Sequence, residues 1–352
     1  MKKDSLDFLR ALLEVPSPSG FEQMLQKVWR GRMEQYADEV YTDVHGNAIA
    51  GLNPQGKPRV MLAGHCDEIG FMVNYINDEG FIYFSAIGGV DPTIVSAQRV
   101  KIFTEKEVVY GVVGRKAIHM MDQEERKKVP EMHKLWIDIG VKDKKEAEKV
   151  VSIGDPIVFD AGFQILRNGL VVGRGLDDRI GSFAVAETLR ILAAKKPKAA
   201  VYAVSTVQEE LGMRGGKTSA FGIEPDVGIA VDVGNASDHP EVDKQKAGEI
   251  SLGKGPVIVK GPNINPVVGR GLLAAARKAK IPFQSLGASK PTGTDANVMQ
   301  ITRSGVAAGL ISVPNRYMHT PVEMISLDDL DNVSKLLATY IMGLSAGTDF
   351  TP

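Results

Sequence analysis

The sequence holds a single cysteine, Cys66, among 352 residues. One thiol cannot build an intrachain disulfide framework, and it fits a reducing compartment. Net charge is nearly absent as well: 42 basic residues face 43 acidic ones, for a net charge of −1. That balance argues against a large basic footprint for nucleic acid, while leaving room for a local charged pocket. Long apolar runs are missing too. The longest, 199–207 and 305–313, are about nine residues, far short of the ~18–20 that cross a bilayer. At the start, Lys2 and Lys3 resemble the charged head of a signal peptide, but Asp4, Asp7 and Arg10 interrupt any apolar stretch behind them. The segment reads instead as an amphipathic helix of a cytoplasmic protein.

What is present is an ordinary globular balance, 43% hydrophobic and 24% charged. The length suggests two domains. Leu6, Leu9, Leu12 and Leu13 recur at helical spacing over 4–14. Ser17-Pro-Ser-Gly-Phe-Glu reads as a turn with a capping signal, Ser19 three residues before Glu22, and a second helix follows to about 36. Short β-like segments come next, at 39–42 and 58–63. Residues 71–165 are rich in Val, Ile, Tyr and Phe and cut by turns, the pattern of short antiparallel strands. Within them, 122–134 reads as a charged, solvated loop. From 168 onward apolar strands alternate with helices. The predicted helices include 179–195, 267–280 and 326–342, the last capped by Ser326; the predicted strands include 199–207, 225–231 and 305–313. Buried strands alternating with helices predict an α/β sheet covered on both faces. The simplest layout is one α/β domain from 1–70 and 166–352, with a β-rich domain inserted at 71–165.

Chemistry-bearing residues follow the buried strands. His65-Cys-Asp67-Glu68 comes after 58–64, and Asp177-Asp178-Arg179 after 170–175. Glu209-Glu210 comes after 199–208, Asp232 after 225–231, and Asn315-Arg316-Tyr317-Met318-His319 after 305–313. Each alone has an ordinary reading, such as a helix cap or a surface charge. In open α/β sheets, however, ligands sit at the carboxyl ends of strands. Two His and several carboxylates converging there form a site for Zn²⁺, Co²⁺ or Mn²⁺. His45, His119, His133 and His239 fit no ligand position. Cys66 is expected to pack away from the site. Gly215-Gly-Lys-Thr-Ser resembles a phosphate loop, but Leu211 stands where that motif needs glycine.

The set of motifs resembles the M42 metallo-aminopeptidases, the tetrahedral (TET) peptidases. The matching stretches are Ala63-Gly-His-Cys-Asp-Glu-Ile-Gly-Phe-Met-Val, Gly175-Leu-Asp-Asp-Arg-Ile-Gly, Thr206-Val-Gln-Glu-Glu-Leu-Gly-Met-Arg-Gly, Val231-Asp-Val, Pro291-Thr-Gly-Thr-Asp-Ala and Arg316-Tyr-Met-His-Thr-Pro-Val-Glu-Met, with Trp136-Ile-Asp-Ile-Gly in the inserted part. They run in order along the whole chain. The resemblance implies a mixed α/β metallo-exopeptidase domain with helices on both faces and an inserted PDZ-like barrel. It implies two divalent ions per subunit, Zn²⁺ or Co²⁺ first and Mn²⁺ as a further option. Asp177 would bridge them; His65 and Asp232 would complete one site, Glu210 and His319 the other. Glu209 would be the general base, activating a water between the metals, and Asp67 would orient the His65 imidazole. The bond between Asp177 and Asp178 is the candidate for the cis peptide that follows the bridging residue in related metallopeptidases. Thr294, Asp295 and Arg316 are the substrate-pocket candidates.

The implied activity is removal of N-terminal residues from short peptides, by a homododecamer built from dimers. Among alternatives, a related deacylase or carboxypeptidase shares the metal set. A glycoside hydrolase would need two carboxylates facing each other across a sugar, whereas Glu209 and Glu210 are chain neighbours.

Overall fold

The computed structural model describes all residues, 1–352. Its first strands are β1 (Glu39–Thr42), β2 (Ala48–Leu52) and β3 (Arg59–His65). Six more follow: β4 (Gly70–Ile76), β5 (Ile82–Ile87), β6 (Arg99–Phe103), β7 (Val108–Val113), β8 (Ile137–Asp138) and β9 (Pro156–Phe159). They close into a barrel in the order β4-β5-β8-β7-β6-β9. Phe71, Phe84 and Phe159 meet edge-on inside it, among Val100, Ile102, Ile137 and Ile157. Next come β10 (Gln164–Ile165), β11 (Leu170–Gly173), β12 (Ala200–Thr206), β13 (Val227–Asn235), β14 (Val257–Lys260), β15 (Gln284–Gly287), β16 (Ala307–Asn315) and β17 (Glu323–Ser326).

An eight-stranded sheet, ordered β1-β2-β12-β3-β13-β16-β14-β15, forms the larger unit. Its centre, β12-β3-β13-β16, is parallel, and antiparallel pairs flank it on both sides. β12 is buried at every residue, as a central strand covered on both faces must be. Side-chain alternation assigns the two faces. Val60 and Leu62 of β3 face the helices Lys3–Glu14, Gln23–Met33, Leu176–Ala193, Pro266–Ala279 and Leu327–Met342. Met61 and Ala63 face Arg214–Ile223 and Asp295–Gln300. The cap at Ser326 forms as read, its hydroxyl accepting the Asp329 N–H. No helix is long and apolar enough to cross a membrane.

Some details of the elements depart from the sequence reading. The second helix ends at Met33, not near residue 36. Residues 122–134 are not plain loop: Asp122 and Glu125 form a capping box that starts a short helix, Gln123–Lys127. Gln164–Ile165, at the end of the stretch read as the inserted unit, pairs instead with β11 in the small sheet β10-β11-β17.

The central strand and helix touch backbone to backbone. A Cβ at Gly64, one residue before the end of β3, would collide with the backbone of Gly181 and Ser182. This contact sets β3 against the helix that carries Asp177. Gly64→Ala is therefore expected to lower the unfolding free energy by at least ~1–3 kcal/mol, the range for overpacking. A urea midpoint equal to that of the parent would show that the approach is not required.

Candidate metal centre

The parallel strands deliver their side chains to one edge. β3 ends at His65, whose Nε2 lies 3.2 Å from Asp177 Oδ1 and 3.9 Å from Glu209 Oε2. Its Nδ1 sits 3.0 Å from the Asp67 carbonyl and 3.4 Å from the Asp67 carboxylate. β16 leads into the loop that carries His319. There Nε2 is 3.3 Å from Asp177 Oδ2 and 3.2 Å from Glu210 Oε1, while Nδ1 is 2.9 Å from the carbonyl of Gly89 in the barrel. Asp177 thus turns one oxygen to each imidazole. Asp232, near the end of β13, is buried beside them. Two groups of ligand atoms lie close enough together to hold an ion: His65 with Asp177 and Glu210, and His65 with Asp178 and Asp232. All the predicted ligand residues meet here.

Asp177 and Asp178 open the helix Leu176–Ala193 with non-helical backbone, and their peptide bond is cis. Regular helix starts at Arg179, as the spacing predicted. Asp178 is the added member of the cluster. Its oxygens accept the N–H groups of His65 and Gly181, at 3.2 and 3.1 Å.

The Glu209-Glu210 pair lies beyond the strand, so strand alternation does not set the directions of the two side chains. β12 stops at Thr206, and Gln208 takes φ +55°. A turn instead directs Glu209 toward His65 and Glu210 toward His319. Asp67 holds that turn: its carboxylate accepts the N–H groups of Glu209 and Glu210 at 3.0 and 3.1 Å, and the Ser19 hydroxyl as well. The carboxylate thus anchors the glutamate turn, while the Asp67 main-chain carbonyl is the nearer partner of His65 Nδ1.

Burial among like charges perturbs these groups. Desolvation pushes the Glu209 carboxyl up to about 10 and raises those of Glu210, Asp178 and Asp232. Asp177 is held at about 2 against its burial, by hydrogen bonds from His319 and His65. His319 is pushed up to about 11, first by Asp177 and then by Glu210. The ion pairs of Asp177, Glu209 and Glu210 are with imidazoles alone, not with Lys or Arg. A buried excess of carboxylates with two His is the donor set that divalent cations neutralise, so these residues fit the expected ions.

The substrate-pocket candidates fare differently. Asp295 is buried, takes the Thr206 hydroxyl at 2.6 Å on Oδ2, and leaves Oδ1 without a partner. Burial lifts it to about 6. Thr206 is the register partner of His65, so Asp295 borders the cluster. Thr294 is buried with its hydroxyl 2.9 Å from that of Thr292. Arg316 is committed elsewhere: Nε and Nη2 bind Asp238 at 2.8 and 2.7 Å. This fork-to-carboxylate pair engages two of the guanidinium nitrogens. Cys66 packs in the core as expected.

Sequence reasoning missed Glu323, whose buried carboxylate accepts the N–H groups of His319 and Asp177 at 2.9 and 3.0 Å. Its spacing four residues after His319, inside a quoted motif, was the available signal. It also missed Glu68, buried against Arg174 and Arg179, and the Gly89 carbonyl. A main-chain acceptor leaves no trace in residue type.

The family model for M42 glutamyl aminopeptidases matches residues 46–336. A lysyl aminopeptidase of Pyrococcus furiosus is 39% identical over 349 residues, covering 98% of this chain and 99% of that protein. The crystal structure of a TET aminopeptidase from the marine sediment archaeon Thaumarchaeota archaeon SCGC AB-539-E09 matches with a TM-score of 0.93 at 35% identity, covering 97% of both chains. The TET1 peptidase of Pyrococcus horikoshii, which can assemble into a tetrahedron or a large octahedral shell, matches at 0.86 and 30% identity, covering 97% of this chain and 100% of that one. Matched across most of its length by the family and end to end by these relatives, the chain belongs to the M42 aminopeptidases, hydrolases that act on peptide bonds.

Proposed function

We propose that this chain removes N-terminal residues from short peptides, using two divalent ions and Glu209 as general base. The observation that carries the reading is Asp177, with one oxygen toward His65 and the other toward His319. That arrangement suits a carboxylate shared by two ions. His65 and Asp232 would complete one site, and Glu210 and His319 the other. Asp178 is the weaker bridge, because both its oxygens already accept backbone N–H groups. Zn²⁺ and Co²⁺ are the first choices for the ions, then Mn²⁺. Ions held there polarise the scissile carbonyl and make a water acidic near neutral pH.

The protein groups supply the rest. Glu209 sits beside the His65 imidazole without being a ligand in this assignment. It takes a proton from the attacking water and delivers it to the leaving amine. Asp67 fixes the backbone of both glutamates. Asp295 and Thr294 line the substrate side; Arg316, paired with Asp238, steadies the His319 loop instead of touching substrate. The barrel serves as a PDZ-like dimerisation unit, and six dimers enclose inward-facing sites in a cytoplasmic dodecamer that admits only short peptides. The S1 preference follows from side chains around the cluster and not from the ligands themselves.

Metal-stripped protein should bind two Zn²⁺, Co²⁺ or Mn²⁺ per chain in calorimetry, and its thermal midpoint should rise on loading. At a thousandfold excess over Kd the stabilisation is about 4 kcal/mol per site. Asp177→Asn should weaken both binding events together; loss of only one would remove Asp177 from the bridging role.

Aminoacyl-p-nitroanilide hydrolysis should vanish on stripping, return with metal, and rank the S1 residues. Glu209→Gln should keep two ions and the fold yet lose roughly 10²–10⁴ in turnover. Near-parental turnover in that variant would rule out Glu209 as the base.

A further inference from the structure

The sequence marks Ser19 and Glu22 as a helix cap, and the structure spends both elsewhere. The helix Gln23–Met33 has no side-chain cap; Glu22 occupies its N-cap position in helical conformation. Ser19 donates its hydroxyl to Asp67. Glu22 Oε1 accepts the N–H groups of Gly20 at 2.7 Å and of Gln208 at 3.2 Å. Glu22 is only 3% exposed, so it is held in the interior at the cost of desolvation.

Along the turn that follows β12, four consecutive backbone N–H groups end on side chains from the first 67 residues. Val207 donates to Asn47 Oδ1, Gln208 to Glu22 Oε1, and Glu209 and Glu210 to the two oxygens of Asp67. Each acceptor is buried. Gln208 is the residue at φ +55°, the left-handed conformation where the chain leaves the strand direction and re-aims the two glutamates. An isolated turn would not hold a glutamine there cheaply. The Glu22 contact fixes the amide of that residue.

We infer that Glu22 is a positioning residue for the catalytic turn: it touches neither ligands nor substrate space and acts through the Gln208 amide on the aim of Glu209. The inference rests on the reading of Glu209 as the base. One oxygen of Glu22 does all the accepting, so reach and not charge is the requirement. Its carboxyl is already lifted to about 7 by burial, which agrees with a group used for its acceptor.

Two substitutions separate reach from charge. Glu22→Gln keeps an oxygen at the same distance and is expected to stay within about twofold of the parent in kcat. Glu22→Asp keeps the charge and withdraws it by one methylene. It is expected to lose about 10–100-fold in kcat, the scale of an ~1 Å misplacement of a catalytic group, with KM and the two-ion stoichiometry unchanged. Glu22→Ala, which also strips the Gln208 N–H of its acceptor, reads the same contact should the aspartate variant not fold. In a Glu209→Gln background either loss should disappear, because there is no base left to aim. The reverse order, with aspartate active and glutamine impaired, would overturn the inference, as would losses that multiply with Glu209→Gln. If Glu209→Gln alone stays active, the base assignment has failed. If it is inactive while Glu22→Asp and Glu22→Ala keep parental kcat, only the role of Glu22 has.

Discussion

More carboxylates than imidazoles are buried at the carboxyl edge of β12, β3, β13 and β16, and that imbalance governs the rest of the structure. Taking like charges out of water is unfavourable unless each is protonated, hydrogen-bonded or met by a cation. The chain uses all three. Asp67, Asp178 and Glu323 each accept two backbone N–H groups. Asp177 and Glu210 lean on imidazoles, and Glu209 and Asp232 are driven toward their neutral forms. The carboxylates thus fall into two classes. Those whose oxygens are consumed by main-chain donors build the site, and those left facing the imidazoles are free to do chemistry.

This division explains why the site can be rigid although its parts lie on loops. Each of the loops is tied by a carboxylate from another part of the chain. Asp67 ties the glutamate turn, and Glu323 ties the Asp177 peptide to the His319 loop. Asp238 ties Arg316 beside that loop. Such charge-assisted bonds to N–H or guanidinium groups are stronger than neutral ones, and in a low-dielectric interior they are strengthened further. The energetic burden of burying these acids is the condition for holding the glutamates and histidines in one arrangement.

The sequence made the strand ends legible because chemistry there is written in residue type. His65, Asp177, Asp232 and His319 each follow an apolar run, and the fold rule for open sheets brings such positions together. The helix beginning at Arg179 and the cap at Ser326 were readable for the same local reason. What was not readable depends on approach in three dimensions. Ser19 and Glu22 have the spacing of a capping box, but local pattern cannot reveal that Asp67 and Gln208 compete for them. Arg316 gave no sign of Asp238, 78 positions away. Glu209 and Glu210 diverge through the φ of Gln208, which no residue pattern specified. Closure of six short strands into a barrel likewise depends on pairings between distant segments, such as β4 with β9.

The barrel is not a bystander to the metal centre. Gly88 and Gly89, between β5 and β6, lie against the site: a Cβ on Gly89 would press on the His319 ring at 3.3 Å, and one on Gly88 would meet Glu210 at 3.4 Å. The Gly89 carbonyl receives the Nδ1 proton of His319. With that proton committed, it is Nε2 that loses its proton when the imidazolium becomes neutral, and the freed lone pair points at the space between Asp177 and Glu210. The tautomer that metal ligation by His319 would need is therefore selected by a backbone atom of the barrel. His65 meets the same need within its own strand end, through the carbonyl of Asp67. One histidine is thus oriented locally, within its own strand end, and the other across the junction between the barrel and the sheet.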